Sequence, residues 1–402
     1  MASMLEHRSG HHLTLLKGAD ALFPALIEAV DASCHEVRLE TYIFHFKGSA
    51  EPVAQALVRA ARRGVAVSLV MDGVGTPDLP GAWQRQFDQA GVAWRIFRPL
   101  GRFGMLLPSR WRRLHRKLCV VDGQLAFCGG INVLDDWFDP NHGDLDAPRF
   151  DFAVRVSGPL VQAVHATMAQ FWWRLQATQS ARQVDLANAW QALQQAVREQ
   201  SPDGLPRAPH AGASAQLVLR DNVRHRTRIE RAYRQALGLA RHEIVLANAY
   251  FLPGRKMRQS LIHAARRGVR VRLLLQGRYE YFLQYHATRA LYDQLLAAGV
   301  EIYEYQASFL HAKVAVVDGH WATVGSSNID PLSLLLAREA NVVVQDKSFA
   351  HELHRQLEQA MRHEARRIDP ARHARRSVGG RALDWLALLA MRAMLFLIGK
   401  RY

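Results

Sequence analysis

Apolar runs rich in β-branched residues alternate along this chain with segments whose apolar positions recur every three or four residues. Val37–Phe44 (VRLETYIF) and Ile244–Phe251 (IVLANAYF) predict buried strands. Each is followed by a helical pattern, Pro52–Arg63 and Lys256–Arg267, with Gly64 or Gly268 placed to close it. A second strand comes next (Val65–Met71; Val269–Gln276), then a second helix (Gly81–Ala90; Ala287–Ala298) and a third strand. Two further strands flank the tight-turn dipeptides Asp122-Gly123 and Asp318-Gly319. Strands alternating with helices imply an α/β sheet covered by helices.

The two series are the same series twice. AARRGVAV (60–67) matches AARRGVRV (264–271), QAGV (89–92) matches AAGV (297–300), and LHRKLCVVD (114–122) matches LHAKVAVVD (310–318). With the first strand pair, the offsets are 207, 204, 208 and 196 residues. Near-constant offsets predict a duplicated domain. The expected organisation is a first domain over 1–175, a helix and linker over 176–212 and a second domain over 213–370. A basic amphipathic tail over 371–402 completes it.

Composition narrows the class. The chain has 402 residues with 49% hydrophobic content, which excludes a disordered or collagen-like protein. Three cysteines cannot build a disulfide framework and suit a reducing compartment. There is no N-terminal apolar stretch of signal-peptide type and no uncharged apolar run long enough to cross a bilayer. The formal charge is +16, which favours polyanionic partners. It is concentrated at two addresses. One run, with no acid between Asp88 and Asp122, holds Arg95, Arg98, Arg102, Arg110, Arg112, Arg113, Arg116 and Lys117. The other begins at Arg362 and extends to Arg401.

The strongest chemical signal lies inside the repeat. His115-x-Lys117-x4-Asp122-x6-Gly129-x2-Asn132 recurs as His311-x-Lys313-x4-Asp318-x6-Gly325-x2-Asn328, with identical spacing. Residues i and i+2 of a strand share a face, so each His projects with its Lys. The expected place is the carboxyl end of the sheet strands, where open α/β sheets hold ligands. If the copies pack about a pseudo-twofold axis, two imidazoles and two ammonium groups converge. Two lysines there neutralise a phosphate, one imidazole attacks phosphorus, and the other protonates the leaving oxygen. Asn132 and Asn328 add hydrogen bonds to the same oxygens. Asp122 and Asp318 sit at turns, where a structural role competes with direct participation. Downstream, Asp151 and Glu339 open apolar strands, and a carboxylate can orient an imidazole. The expected pairing is Asp151 with His115 and Glu339 with His311. No metal or cofactor is called for: lysines supply the positive charge, and Lys is not a zinc ligand.

These residues resemble the phospholipase D superfamily, whose signature has this spacing. The likeness extends over LETYIF, ARRGV, DGVGTPDL, LRDNVRHR, ANAYFLPG, HWATVGSSNIDPLSL and REANVVV, roughly residues 10–365. Together they are similar to bacterial cardiolipin synthases of the B type. The resemblance implies two phospholipase D-like domains related by a pseudo-twofold, each a mixed β-sheet sandwiched by helices, with one shared active site. It implies phosphatidyl transfer between phosphatidylglycerol molecules through a phosphohistidine, with release of glycerol. It also implies His115 as nucleophile and His311 as general acid/base, although the symmetry leaves those roles exchangeable. A phosphodiesterase of the same superfamily, acting on lipid or nucleic acid, is the alternative.

Membrane contact is expected at two places. LDWLALLAMRAMLFLI (383–398), carrying Trp385 and Phe396, would be a helix of about 24 Å, too short to span and flanked by basic residues. Phe103, Met105 and Leu106, with Trp111, form an apolar stretch among arginines just before His115. The expected partner is an anionic phospholipid membrane and not nucleic acid, since the charge adjoins apolar segments rather than aromatic stacking platforms. The expected location is the cytoplasmic face of a bacterial inner membrane, held peripherally. Oligomeric state is left open.

Overall fold

The computed structural model describes residues 8–101, 111–182, 185–198, 212–221, 225–330 and 337–397. The first half carries β1 (Arg8–Lys17), β2 (Glu36–Thr41), β3 (Ala66–Asp72), β4 (Ala93–Phe97), β5 (Arg113–Leu114), β6 (Lys117–Val121), β7 (Leu125–Gly129), β8 (Phe138–Asp139), β9 (Gly143–Asp144) and β10 (Phe152–Ser157). The second carries β11 (Ala213–Arg220), β12 (Glu243–Asn248), β13 (Arg270–Gln276), β14 (Glu301–Tyr305), β15 (Lys313–Val317), β16 (Trp321–Gly325), β17 (Ala337–Gln345) and β18 (Ala365–Arg367).

Both halves have the same strand order. The first reads β4-β3-β2-β6-β7-β10-β1 and the second β14-β13-β12-β15-β16-β17-β11, with β18 added at the outer edge. Strands β2, β3 and β4 are parallel, whereas β6 runs antiparallel to β2. The start of β6 therefore lies at the carboxyl ends of β2–β4. The halves meet where β1 pairs antiparallel with β11, so the sheet is continuous across the pseudo-twofold.

The pleat divides each strand between two cores. Leu118 and Val120 of β6 join Val314 and Val316 of β15 in one cluster that spans both halves. Helices Leu160–Arg182 and Lys347–His363 contribute Val164, Met168, Leu353 and Leu357 to it. Cys119 and Val121 face the opposite way, into a core built with helices Gly18–Asp31, Glu51–Arg62 and Gly81–Ala90. Ala315 and Val317 do the same beneath helices Arg228–Leu239 and Arg255–Arg266. Apolar residues at every position of β6 and β15 after the leading lysine are thus explained by burial on both faces.

Some local expectations shift. Helix Leu160–Arg182 runs through the boundary expected near residue 175, and a second helix, Leu186–Arg198, packs beside it. The helix expected over 287–298 is two shorter ones, Phe282–Arg289 and Tyr292–Ala297. Much of the first basic run is interior. Arg116 is buried on Glu40, Arg113 pairs with Asp72 at 3.1 Å, and the Arg95 guanidinium lies over the Trp172 ring. Arg102 and Arg110 lie outside the described residues, as do Phe103, Met105 and Leu106.

The C-terminal helix, Val378–Leu397, docks on helix Phe282–Arg289. Ala387, Leu388 and Met391 pack against Leu252, Ala287, Ala290 and Leu291. Asp384 is buried in that seam, 2.7 Å from His286 Nδ1 and 2.6 Å from Arg376. The opposite stripe exposes Trp385, Leu386 and Leu389. Among the described residues no helix is long and apolar enough to cross a membrane.

Removing one partner from a buried ion pair costs about 3–5 kcal/mol. Asp384→Ala should therefore release the C-terminal helix. Tryptic cleavage around residues 372–381 is expected to accelerate at least about tenfold, with the main thermal transition nearly unchanged. Unaltered cleavage would show that the apolar seam alone holds the helix.

Candidate active site

Only His115 and Arg116 separate β5 from β6, so His115 stands in the step that enters the strand and not on the strand itself. The step is held from the other half of the molecule. β5 pairs in parallel with β17, and the His115 backbone N–H donates to the Arg338 carbonyl at 3.0 Å. The second histidine is held in the same way: His311 N–H donates to the Phe150 carbonyl at 2.9 Å. Arg338 and Phe150 immediately precede Glu339 and Asp151.

The carboxylates are therefore exchanged between halves. Glu339 lies 3.1 Å and 3.2 Å from His115 Nδ1 through its two oxygens, and Asp151 lies 2.6 Å from His311 Nδ1. This corrects the pairing expected from the sequence, in which each acid served the histidine of its own copy. The physical reason is the pseudo-twofold. The strand beside each histidine step comes from the other copy and brings its own acid. With Nδ1 engaged by a carboxylate, Nε2 is the nitrogen available for chemistry.

Both histidines line one cleft of about 640 Å³, together with Tyr42, Asn132, Arg149, Tyr250 and Glu280. Lys117 and Lys313 are buried beside it. Lys117 Nζ donates to the His115 carbonyl at 2.7 Å, and Lys313 Nζ donates to the His311 carbonyl. Burial pulls Lys117 down to about 7 and Lys313 down to about 8, against the pull of Glu339 and Asp151. Burial and the neighbouring lysines likewise hold His115 below, and His311 well below, the ordinary imidazole value. Both imidazoles are thus neutral near pH 7 until a bound anion favours their protonation.

The two acids differ. Burial raises Asp151 to about 6, opposed by Lys313 and the Phe152 N–H. Burial also acts on Glu339, but His115, Lys117 and a hydrogen bond from Ser326 hold it below the usual carboxylate value. The repeat places Gly130 where the second copy has Ser326. A Cβ at Gly130 would collide with Asp151 Oδ1, so the glycine admits the carboxylate but offers it no hydroxyl.

Asp122 and Asp318 are not in the cleft. Each sits at the far end of its strand, roughly 20 Å along an extended chain from its histidine. Asp122 accepts from the N–H groups of Cys34, His35 and Glu36 at 2.8, 2.8 and 2.9 Å. Asp318 accepts from Arg241, His242 and Glu243 at the same three distances. Both occupy the left-handed region, at φ 51°, as their tight turns require. They anchor the starts of β2 and β12, so of the two roles expected for them the geometry favours the structural one over direct participation. Asn132 lines the cleft while its Oδ1 accepts from Ile43 N–H at 3.2 Å. Asn328 is buried and lines a separate small cavity beside Tyr233 and Met257. Trp111 lines the cleft, and Trp385 lies on the exposed stripe of the C-terminal helix. The side chain of Phe396 is outside the described residues.

The cleft also contains residues that the motif spacing does not reveal. Tyr42 packs its ring 4.9 Å from the His115 ring, and Lys117 Nζ sits 5.5 Å from the Tyr42 ring centre. Arg149 reaches Asp139 at 3.0 Å and the Phe138 carbonyl at 3.0 Å. Their signal in the sequence is divergence between the copies: Tyr250 stands where the first copy has Ile43, and Ala337 where it has Arg149.

Comparison with known proteins agrees with this architecture. The family described as "Cardiolipin synthase, PLD-like domain" matches residues 26–145 and 233–361, one stretch in each half. The chain is 36% identical over 394 residues to cardiolipin synthase B of Salmonella typhi, covering 98% of this chain and 90% of that one. It is 36% identical over 364 residues to cardiolipin synthase B of Escherichia coli K12, covering 90% and 83%. In fold it is similar to the crystal structure of phosphatidylserine synthase from Haemophilus influenzae, with TM-score 0.70 at 10% identity over 97% of this chain and 96% of the other. The chain belongs to the phospholipase D-like cardiolipin synthase family.

Two outcomes separate the roles of these acids. A hydroxyl-to-carboxylate hydrogen bond contributes about 1 kcal/mol, close to one pH unit. Ser326→Gly should raise Glu339 and move the acid limb of kcat/KM upward by about half a pH unit to one; an unmoved limb would detach Glu339 from the reaction. Asp318→Ala should cost about 2–3 kcal/mol in urea unfolding while the folded enzyme keeps turnover within about twofold. A large loss of turnover without loss of stability would return Asp318 to the chemistry.

Proposed function

We propose that this chain makes cardiolipin by transferring a phosphatidyl group from one phosphatidylglycerol to another. The observation that carries the reading is the convergence of two imidazoles and two lysines on one cleft, each imidazole oriented by a carboxylate of the opposite half. His115 Nε2 attacks phosphorus while the glycerol oxygen leaves and takes a proton from His311. The primary hydroxyl of a second phosphatidylglycerol then gives its proton to His311 and attacks. The P–N bond breaks and cardiolipin is released. Lys117 and Lys313 hold the charge that builds on the phosphoryl oxygens. Above pH about 7–8 the free site loses that charge as these buried amines deprotonate.

Contact with an anionic membrane fits the exposed stripe of Trp385, Leu386 and Leu389 on the C-terminal helix, between basic segments. The exposed free thiol of Cys34 suits a reducing compartment and hence a cytoplasmic face. Hydrolysis of a phosphodiester is the second outcome the same site permits, since water and a lipid hydroxyl compete for one intermediate.

Incubation with phosphatidylglycerol vesicles should yield cardiolipin and glycerol by mass spectrometry; phosphatidic acid alone would overturn the transfer reading. His115→Ala and His311→Ala should each lower turnover by at least about 10³-fold. A phosphatidyl donor with a nitrophenol leaving group needs no acid, so His311→Ala should still gain a phosphatidyl adduct on His115. An adduct found on His311 in His115→Ala would reverse the two roles.

A further inference from the structure

The catalytic centre is nearly symmetric, but the cleft around it is not. Ile43, Val74, Trp111 and Ala337 line one side with apolar surface. Tyr250, Glu280 and Tyr281 line another with polar surface. Tyr250 Oη donates to Glu280 Oε1 at 2.7 Å. Among the described residues, Tyr250 is the hydrogen-bond partner of that carboxylate and no cation lies within ion-pairing distance of it. That is unusual for this chain. Glu40, Glu304, Glu339, Asp72, Asp151 and Asp384 each face a basic side chain. Glu280 is nevertheless close enough to Lys313 to act on its charge.

The repeat shows that this pair is an addition. Tyr250 replaces Ile43 of the first copy, and the position matching Glu280 after the parallel strands is Thr76. Thr76 is a buried staple: its Oγ1 accepts from Phe44 N–H at 2.8 Å and donates to the Tyr42 carbonyl at 3.2 Å. The fold therefore does not require an acid at this place. Glu280 instead offers an oxygen to the cleft beside the position where the phosphate would lie.

We infer that Glu280 and Tyr250 form a subsite for the hydroxyl groups of a neutral polyol headgroup, holding the glycerol part of the lipid while the apolar wall takes the acyl-bearing side. An acceptor-only carboxylate suits O–H donors, so it places the polyol headgroup and the diacylglycerol on opposite sides of the phosphorus. Chain orientation in the cleft follows: glycerol toward β13, diacylglycerol toward β3. The inference rests on the phosphatidyl-transfer reading and names the substrate class that the site accepts.

The test compares release of the headgroup alcohol from vesicles of phosphatidylglycerol and of phosphatidylmethanol, which lacks the hydroxyls, with ethanol added to both as a common phosphatidyl acceptor. The wild-type chain should favour phosphatidylglycerol in kcat/KM by at least about tenfold, as expected for hydrogen bonds to a charged acceptor. Glu280→Gln keeps the size and still accepts from Tyr250, yet it should reduce that ratio toward one; Tyr250→Phe should reduce it in part. A wild-type ratio near one, or an unchanged ratio in both variants, overturns the subsite. A preference for phosphatidylethanolamine that Glu280→Gln removes overturns it in favour of an ammonium site. Should no lipid turn over, the transfer reading falls alone, and calorimetric titration with glycerophosphoglycerol decides the subsite. Binding at least about tenfold weaker in Glu280→Gln upholds it, and equal binding overturns it.

Discussion

Each histidine of the cleft is held by both halves of the chain. His115 takes its backbone hydrogen bond from Arg338 and its carboxylate from Glu339; His311 takes them from Phe150 and Asp151. One half alone would leave a buried acid without its imidazole and a histidine step without its pairing strand. The shared apolar core of β6, β10, β15 and β17 exists to bring these edges together. Stability and the geometry of the cleft therefore rest on the same interface.

Duplication supplies a symmetric frame, and a few substitutions then make the two sides different. Ser326 opposite Gly130 gives Glu339 a hydrogen bond that Asp151 lacks, so two carboxylates in similar burial are driven apart in acidity. Tyr250 opposite Ile43, and Glu280 opposite Thr76, turn one wall of the cleft polar. A symmetric centre acting on an asymmetric lipid needs such differences to hold the substrate in one direction.

Charge also divides between interior and surface. Arg113 and Arg116, within the run that precedes the first motif, are spent on Asp72 and Glu40. They shape the approach to His115 and are not available to a distant polyanion. Around the C-terminus, Arg376 closes the docking seam on Asp384, while Arg362, Arg366 and Arg367 keep most of their side-chain surface in solvent. Net charge alone does not distinguish these uses, because a guanidinium counts the same whether buried on a carboxylate or free to meet a headgroup.

Periodicity and repetition by themselves determined the duplicated α/β fold, the tight turns at Asp122 and Asp318, and the His and Lys of each motif. These are local properties: burial patterns, turn chemistry and spacing are written in neighbouring residues. Which acid serves which histidine was not legible, since residues 151 and 311 are brought together only by strands paired across the pseudo-twofold. The role of the motif aspartates stayed open for the same reason. Spacing places them beside the histidines in sequence, but an extended strand carries them to the opposite end of the sheet. Glu280 and Tyr250 carry no motif, and their meaning depends on the cleft they face. Tertiary structure alone decided these points, because contact between distant segments follows from how the two halves pack and not from the order of residues along either one.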